Sequence, residues 1–139
     1  MRKLQDYLLT LLMEESSDII KASSKIIRYG KGYKFQNYRE MTTEDVLRDE
    51  LIDAITVTLL LNLSGMQIAP NLVEDLLKDD SMFIDVSYRI NNILKFIENN
   101  LINLQLDKEK FREFDLKTKE VLNNAKTKLK EIEKSKLMK

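Results

Sequence analysis

Glu50-Leu51-Ile52-Asp53-Ala54-Ile55-Thr56-Val57-Thr58-Leu59-Leu60-Leu61 decides how this chain is read, because two acids stand in a run that is otherwise strongly apolar. No Gly or Pro interrupts residues 44–63, so the run reads as one helix whose distal half is apolar all round and therefore buried. A lone carboxylate in such surroundings would cost several kcal/mol or take up a proton. The economical expectation is that these acids meet others on a facing helix and share a hard cation. Glu14-Glu15-Ser16-Ser17-Asp18 supplies the second set, preceded by Leu8, Leu9, Leu11 and Leu12 and followed by Ile19 and Ile20. Residues three apart share a helical face, which pairs Glu15 with Asp18 and Glu50 with Asp53. A single E-x-x-D is ordinarily solvated; two of them on helices that could pack antiparallel argue for convergence.

Outward from these clusters the pattern predicts an all-α protein, a helical bundle of four to five helices with an amphipathic C-terminal helix. Leu4, Leu8, Leu11, Leu12, Ile19, Ile26 and Ile27 recur at helical intervals over 3–29, and Gly30 and Gly32 signal the end. Residues 31–41 read as a polar loop carrying aromatics. Thr42-Thr43-Glu44-Asp45 reads as a capping box opening the second helix, which Ser64-Gly65 ends. A turn at Ile68-Ala69-Pro70-Asn71 precedes a short helix over 71–77 that stops near Asp79-Asp80-Ser81. The next helix is expected over 83–104, with Ile84, Tyr88, Ile93, Phe96, Ile97, Leu101 and Leu104 as its apolar stripe. Residues 107–139 are dominated by Lys and Glu around a sparse stripe of Phe111, Phe114, Val121, Leu122, Ala125, Leu129 and Ile132. This predicts a terminal helix that packs on the bundle of 1–106 or on an oligomer partner, fraying toward Lys136-Leu137-Met138-Lys139.

The length of 139 residues suits one domain, and 43% hydrophobic residues with 3 Gly and 1 Pro favour helices over sheets. Equal numbers of basic and acidic residues, 23 of each, leave no global field to attract nucleic acid or an anionic membrane. Without Cys or His there is no thiol nucleophile, zinc-finger site, disulfide or imidazole base. Chemistry is left to carboxylates, amines, hydroxyls and a metal. Met1-Arg2-Lys3-Leu4-Gln5-Asp6 lacks the pattern of a signal peptide, and no uncharged apolar stretch nears the roughly 20 residues that span a bilayer. A cytoplasmic protein is expected. So is a homo-oligomer, dimer or tetramer, since one chain would struggle to cover so apolar a second helix.

Glu14-Glu15-Ser16-Ser17-Asp18 followed by Glu50-Leu51-Ile52-Asp53-Ala54-Ile55 resembles the E-E-x-x-E and E-x-x-D signature of the MazG-like, all-α nucleoside triphosphate pyrophosphohydrolases. The stretch from Ile19 to Arg28-Tyr29-Gly30 is similar to phage members, in which a lysine and an R-[FY]-G ending follow the first motif. The resemblance covers roughly residues 8–55. It implies Mg²⁺, with Mn²⁺ as an alternative, held by Glu15, Asp18, Glu50 and Asp53, a nucleotide substrate, and the host cytoplasm as location if the chain is phage-encoded. It also implies dimers or tetramers. Asp18 departs from the family's usual Glu by one methylene, and the gap between the motifs is long.

Lys21, Lys25 and Arg28 follow Asp18 at helical spacing and would extend a metal site into a phosphate-binding strip. Arg89 and Lys95 could reach in from across a cleft, although solvated charges are the simpler expectation for them. Tyr29, Tyr33, Phe35 and Tyr38 either stack on a nucleobase or pin the loop to the bundle. Asn91 is the candidate for reading a base edge, with Asn92 beside it; ordinary polar flanking is the alternative. Glu14 is the candidate for orienting a water. The reading is then Mg²⁺-dependent hydrolysis of a nucleoside triphosphate to the monophosphate and pyrophosphate. The rival is a helical bundle that lost this chemistry and serves as a protein-interaction or nucleotide-binding module.

Overall fold

Without a breaker for 26 residues, the first apolar-patterned segment forms α1 (Leu4–Tyr29) in a computed structural model that describes residues 3–34 and 41–138. Gly30 caps it at φ 86°, a backbone that a residue with Cβ adopts only at a cost. α2 (Thr43–Leu63) opens with the expected capping box. The Thr42 hydroxyl accepts from the Asp45 amide, and the Asp45 carboxylate accepts from the Thr42 amide. The Thr43 amide donates to the Tyr33 carbonyl at 2.9 Å and its hydroxyl to that of Gly30. At the far end Gln5 Nε2 donates to the Ser64 carbonyl at 2.9 Å. Tied at both ends, α1 and α2 form an antiparallel hairpin.

Five helices, and no strand among the described residues, make the all-α bundle that was expected. After α2 come α3 (Leu72–Leu76), α4 (Asp80–Asn99) and α5 (Lys108–Leu137). α2 is the central element, packed by α1, α4 and α5. Its Ile52, Val57, Leu59, Leu60 and Leu61 are buried, each side chain stabilising the fold by about 1.5–3 kcal/mol. Thr56, also buried, returns its hydroxyl to the Ile52 carbonyl at 2.8 Å. The expectation that one chain would struggle to cover this helix is corrected in this respect: neighbouring helices of the same chain bury its distal half.

Further expectations change. The short helix ends before Asp79 as expected, but α4 starts there rather than at Phe83: the Asp79 carboxylate accepts from the Met82 amide as its N-cap. At its other end α4 stops at Asn99 rather than continuing through Leu104, and the chain turns through Gln105 at φ 57°. The apolar stripe of α4 is partly rotated from the one expected, which named Ile97 correctly and had Ile93, Leu101 and Leu104 against the core. Phe83, Val86, Ile90, Leu94 and Ile97 face inward, while Ile84, Tyr88 and Phe96 are more than half exposed. Both sets recur every three or four residues, and only the packing partner α2 distinguishes them. Similarly Ile27, placed on the stripe of α1, is exposed.

Asp107 caps α5 by accepting from the Glu109 and Lys110 amides. Phe111, Phe114, Leu122, Ala125 and Leu129 join the same hydrophobic core as the other helices. No helix among the described residues is long and apolar enough to cross a membrane. Phe35 and Tyr38, in the aromatic loop, lie outside the described residues.

Candidate metal centre

Because the hairpin is tied at Gln5–Ser64 and Gly30–Thr43, its register sets the acidic motif of α1 against the first half of α2. Glu15, Glu50 and Asp53 each present an oxygen, and the three atoms lie within 4.8 Å of one another. Carboxylate oxygens sharing one Mg²⁺ lie at most about 4.2 Å apart, twice the usual metal–oxygen distance. Neighbouring ligands on the same octahedral ion sit closer still, about 3 Å apart, so the trio must draw inward to hold one. Asp18 stands outside the trio, yet its charge acts on both glutamates.

The electrostatics express this crowding. Burial, followed by the charges of Asp53, Glu50 and Asp18 and a hydrogen bond to Glu50, pushes the Glu15 carboxyl from its ordinary 4.5 up to about 7. Glu50 is raised as well, by burial first and then by Asp18 and Asp53, with the Glu15 hydrogen bond partly opposing the rise. Two carboxyl groups that share a hydrogen bond need one proton between them. Glu15 Oε2 is buried and has no hydrogen-bond partner among the described residues, a condition that ordinarily costs 1–3 kcal/mol. Three close acids, a deficit of positive charge and an orphaned oxygen together fit a hard divalent cation.

α4 supplies the counter-charge that is present. The Arg89 guanidinium donates through Nη1 to Asp53 and to the Asp49 backbone carbonyl at 3.3 Å, and through Nη2 to the Asp49 carboxylate at 3.2 Å. Its side chain is only 22% exposed. Burial works against its charge, but the Asp53 hydrogen bond and the charges of Asp53, Asp49 and Asp85 hold its pKa above the ordinary value. Arg89, Asp85, Tyr88 and Asn92 join Glu15 and Asp53 around a cleft of about 410 Å³.

Glu14 turns away from the trio into an adjoining apolar cavity of about 490 Å³, which shares Asn92 and Ile93 with the acidic cleft. Lys21, Lys25 and Arg28 continue along α1 and do not line the acidic cleft. Tyr29 and Tyr33 stack on each other, ring centroids 5.0 Å apart, where α1 meets the loop, and they also lie outside the cleft lining. Asn91 lines a separate cavity between α4 and α5, whereas Asn92 faces the acidic cleft. The structure thus brings together Glu15, Glu50 and Asp53, keeps Asp18 close, places Arg89 and Asn92 in the cleft wall, and leaves Glu14, Lys21, Lys25, Arg28, Tyr29, Tyr33 and Asn91 outside it.

The expectation that Arg89 is a solvated charge is corrected by its ion pairs. Asp49 and Asp85, which no motif singles out, join the site through Arg89 and the cleft wall. The signal was a matter of phase: with Val86, Ile90 and Ile97 inward, Arg89 falls at the edge of the α4 contact with α2, whereas a stripe through Tyr88 leaves it outside. Compared with protein-family models, with curated proteins and with solved structures, the chain has no match.

Proposed function

We propose that this protein is a cytoplasmic, Mg²⁺-dependent nucleotide pyrophosphohydrolase that converts a nucleoside triphosphate or related nucleotide to the monophosphate and pyrophosphate. The observation that carries the reading is the meeting of Glu15 with Glu50 and Asp53 across the α1–α2 hairpin, the arrangement implied by the resemblance to MazG-like enzymes. Glu15, Glu50 and Asp53, with Asp18 beside them, would hold Mg²⁺ or Mn²⁺. Bound there, such an ion supplies charge neutralisation for phosphates and acidifies water. The chain's own groups do the rest. Arg89 offers a planar fork suited to phosphate oxygens, and Asn92 offers an amide between the acidic cleft and its apolar neighbour. The apolar cavity, with Phe96 and Tyr7 in its wall, suits the flat face of a base. Lys25 and Arg28 extend positive charge along α1 for any longer anionic substrate. Self-association through the exposed Ile84, Tyr88 and Phe96 of α4 would cover an apolar stripe beside the cleft.

Release of pyrophosphate from a panel of nucleoside triphosphates with Mg²⁺ tests the proposal. Glu50→Gln and Asp53→Asn are each expected to lower turnover at least a hundredfold while the fold persists. Wild-type rates in either variant would refute the assignment. The alternative, a bundle that binds partners without hydrolysis, is favoured if the chain neither binds Mn²⁺ nor releases pyrophosphate.

A further inference from the structure

We infer that Arg89 is a resident counter-cation which a divalent metal must displace from Asp53, so that metal entry turns the guanidinium from a carboxylate partner into an anion receptor facing the cleft. The inference rests on the metal-binding reading above and adds a switch to it. Asp53 belongs to the convergent trio and simultaneously accepts from Arg89 Nη1. A guanidinium and a dication on the same carboxylate repel each other, and in a half-buried site that repulsion is weakly screened. The second tether makes the exchange feasible. Arg89 Nη2 is held by the Asp49 carboxylate and Nη1 also by the Asp49 carbonyl, so losing Asp53 leaves the side chain anchored on α2. Freed of one carboxylate, the fork keeps donors toward a cleft whose other charged lining groups, Glu15, Asp53 and Asp85, are all acidic. Metal loading and phosphate capture would then be coupled through a single side chain, each favouring the other.

This role is distinct from that of an outer partner orienting a metal ligand, and the two predict opposite signs. If Arg89 competes with the ion, Arg89→Gln binds Mn²⁺ about tenfold more tightly than wild type, as read by electron paramagnetic resonance titration of the full-length protein. If Arg89 merely orients Asp53, the same substitution weakens binding, typically by 10–100-fold. Unchanged or weaker affinity overturns the inference. Arg89→Lys provides a second variant should Arg89→Gln fail to fold: lysine cannot fork between Asp49 and Asp53, so Mn²⁺ affinity should rise by a smaller factor, and a decrease again overturns the inference. In wild type, adding Mg²⁺ should shift the side-chain Nε–H resonance of Arg89, assigned by its loss in Arg89→Lys; a resonance indifferent to saturating Mg²⁺ contradicts displacement. Absence of Mn²⁺ binding by the wild-type protein itself would bring down the metal reading and this inference together, an outcome separable from a failure of the switch alone.

Discussion

The α1–α2 hairpin and the α5 helix draw on the same charged side chains and put them in opposite electrostatic conditions. On α5, Asp107 satisfies two amides at the helix start and Asp115 accepts from Lys119 at 3.0 Å, while most of the remaining charges face water. In the hairpin, Glu15, Glu50 and Asp53 face one another, and the cation that reaches them comes from a third helix. Composition already sets the regions apart, since α5 holds more Lys and Arg than Asp and Glu and the hairpin the reverse, but the identity of the facing element decides whether the acids meet. A helix whose acids look outward can satisfy each one independently, whereas two packed helices that both present acids accumulate repulsion that a proton or a cation must relieve.

Supplying the cation is the most forceful way to test this contrast. At a metal concentration one hundred times its dissociation constant, linkage stabilises the folded state by about 2.7 kcal/mol. For a chain of this size that corresponds to a rise in melting temperature of roughly 5–10 °C. Differential scanning calorimetry with Mg²⁺ or Mn²⁺ should show the rise in wild type and lose most of it in Asp53→Asn. Asp115→Asn on α5 should keep it in full. Stabilisation that survives Asp53→Asn would place the ion elsewhere.

A smaller effect should come from removing the repulsion instead of compensating it. Glu15 carries a folded-state pKa of about 7 against its ordinary 4.5, so between those values the folded chain holds more protons than the unfolded chain. Stability is therefore fully present below about pH 4.5 and is lost as pH rises through about 7. In metal-free buffer the melting temperature of wild type should fall across that window from this group, and Glu15→Gln, which cannot ionise, should remove that component. At pH 8 the substitution should raise stability by about 1 kcal/mol. Saturating Mg²⁺ should also abolish the decline in wild type, because the ion takes the place of the proton. A Glu15→Gln profile that slopes as steeply as wild type would show that another group controls the pH response.

Much of this contrast was legible in the residues, and the parts that were not share a cause. Helix order, the Thr42–Asp45 capping box and the Gly30 stop follow from local rules that operate within a few residues. The convergence of Glu15 with Glu50 and Asp53 was readable because the apolar run after Asp53 demands burial, and burial leaves acids few options. The phase of α4 was not readable. Phe83-Ile84 and Phe96-Ile97 each offer two adjacent apolar residues, and the choice of which turns inward is made by contact with α2. That one rotation made Arg89 read as a solvated charge, places Asn92 rather than Asn91 in the acidic cleft, and leaves Tyr88 and Phe96 exposed beside it. Asp79-Asp80 reads correctly as following the short helix but not as opening α4, because an Asp pair is equally at home in a turn or capping the next helix. Local patterning specifies which residues form helices, but the rotation of each helix about its axis is a tertiary property.

The weakest predicted effect tests the other half of the comparison. If α5 carries its charges as independent solvated groups, breaking the Asp115–Lys119 pair should cost little, because an i,i+4 ion pair contributes only about 0.3–0.5 kcal/mol. Asp115 is 17% exposed and Lys119 52%, so the pair lies at the boundary of the buried face and represents the strongest case α5 offers. Urea denaturation of Asp115→Asn should therefore shift stability by no more than about 0.5 kcal/mol, with no change in its dependence on pH near 7 and none on Mg²⁺. A loss several times larger would mean that α5 holds its charges in a coupled network as the hairpin does, and the distinction between the two regions would then rest on the sign of the charges alone.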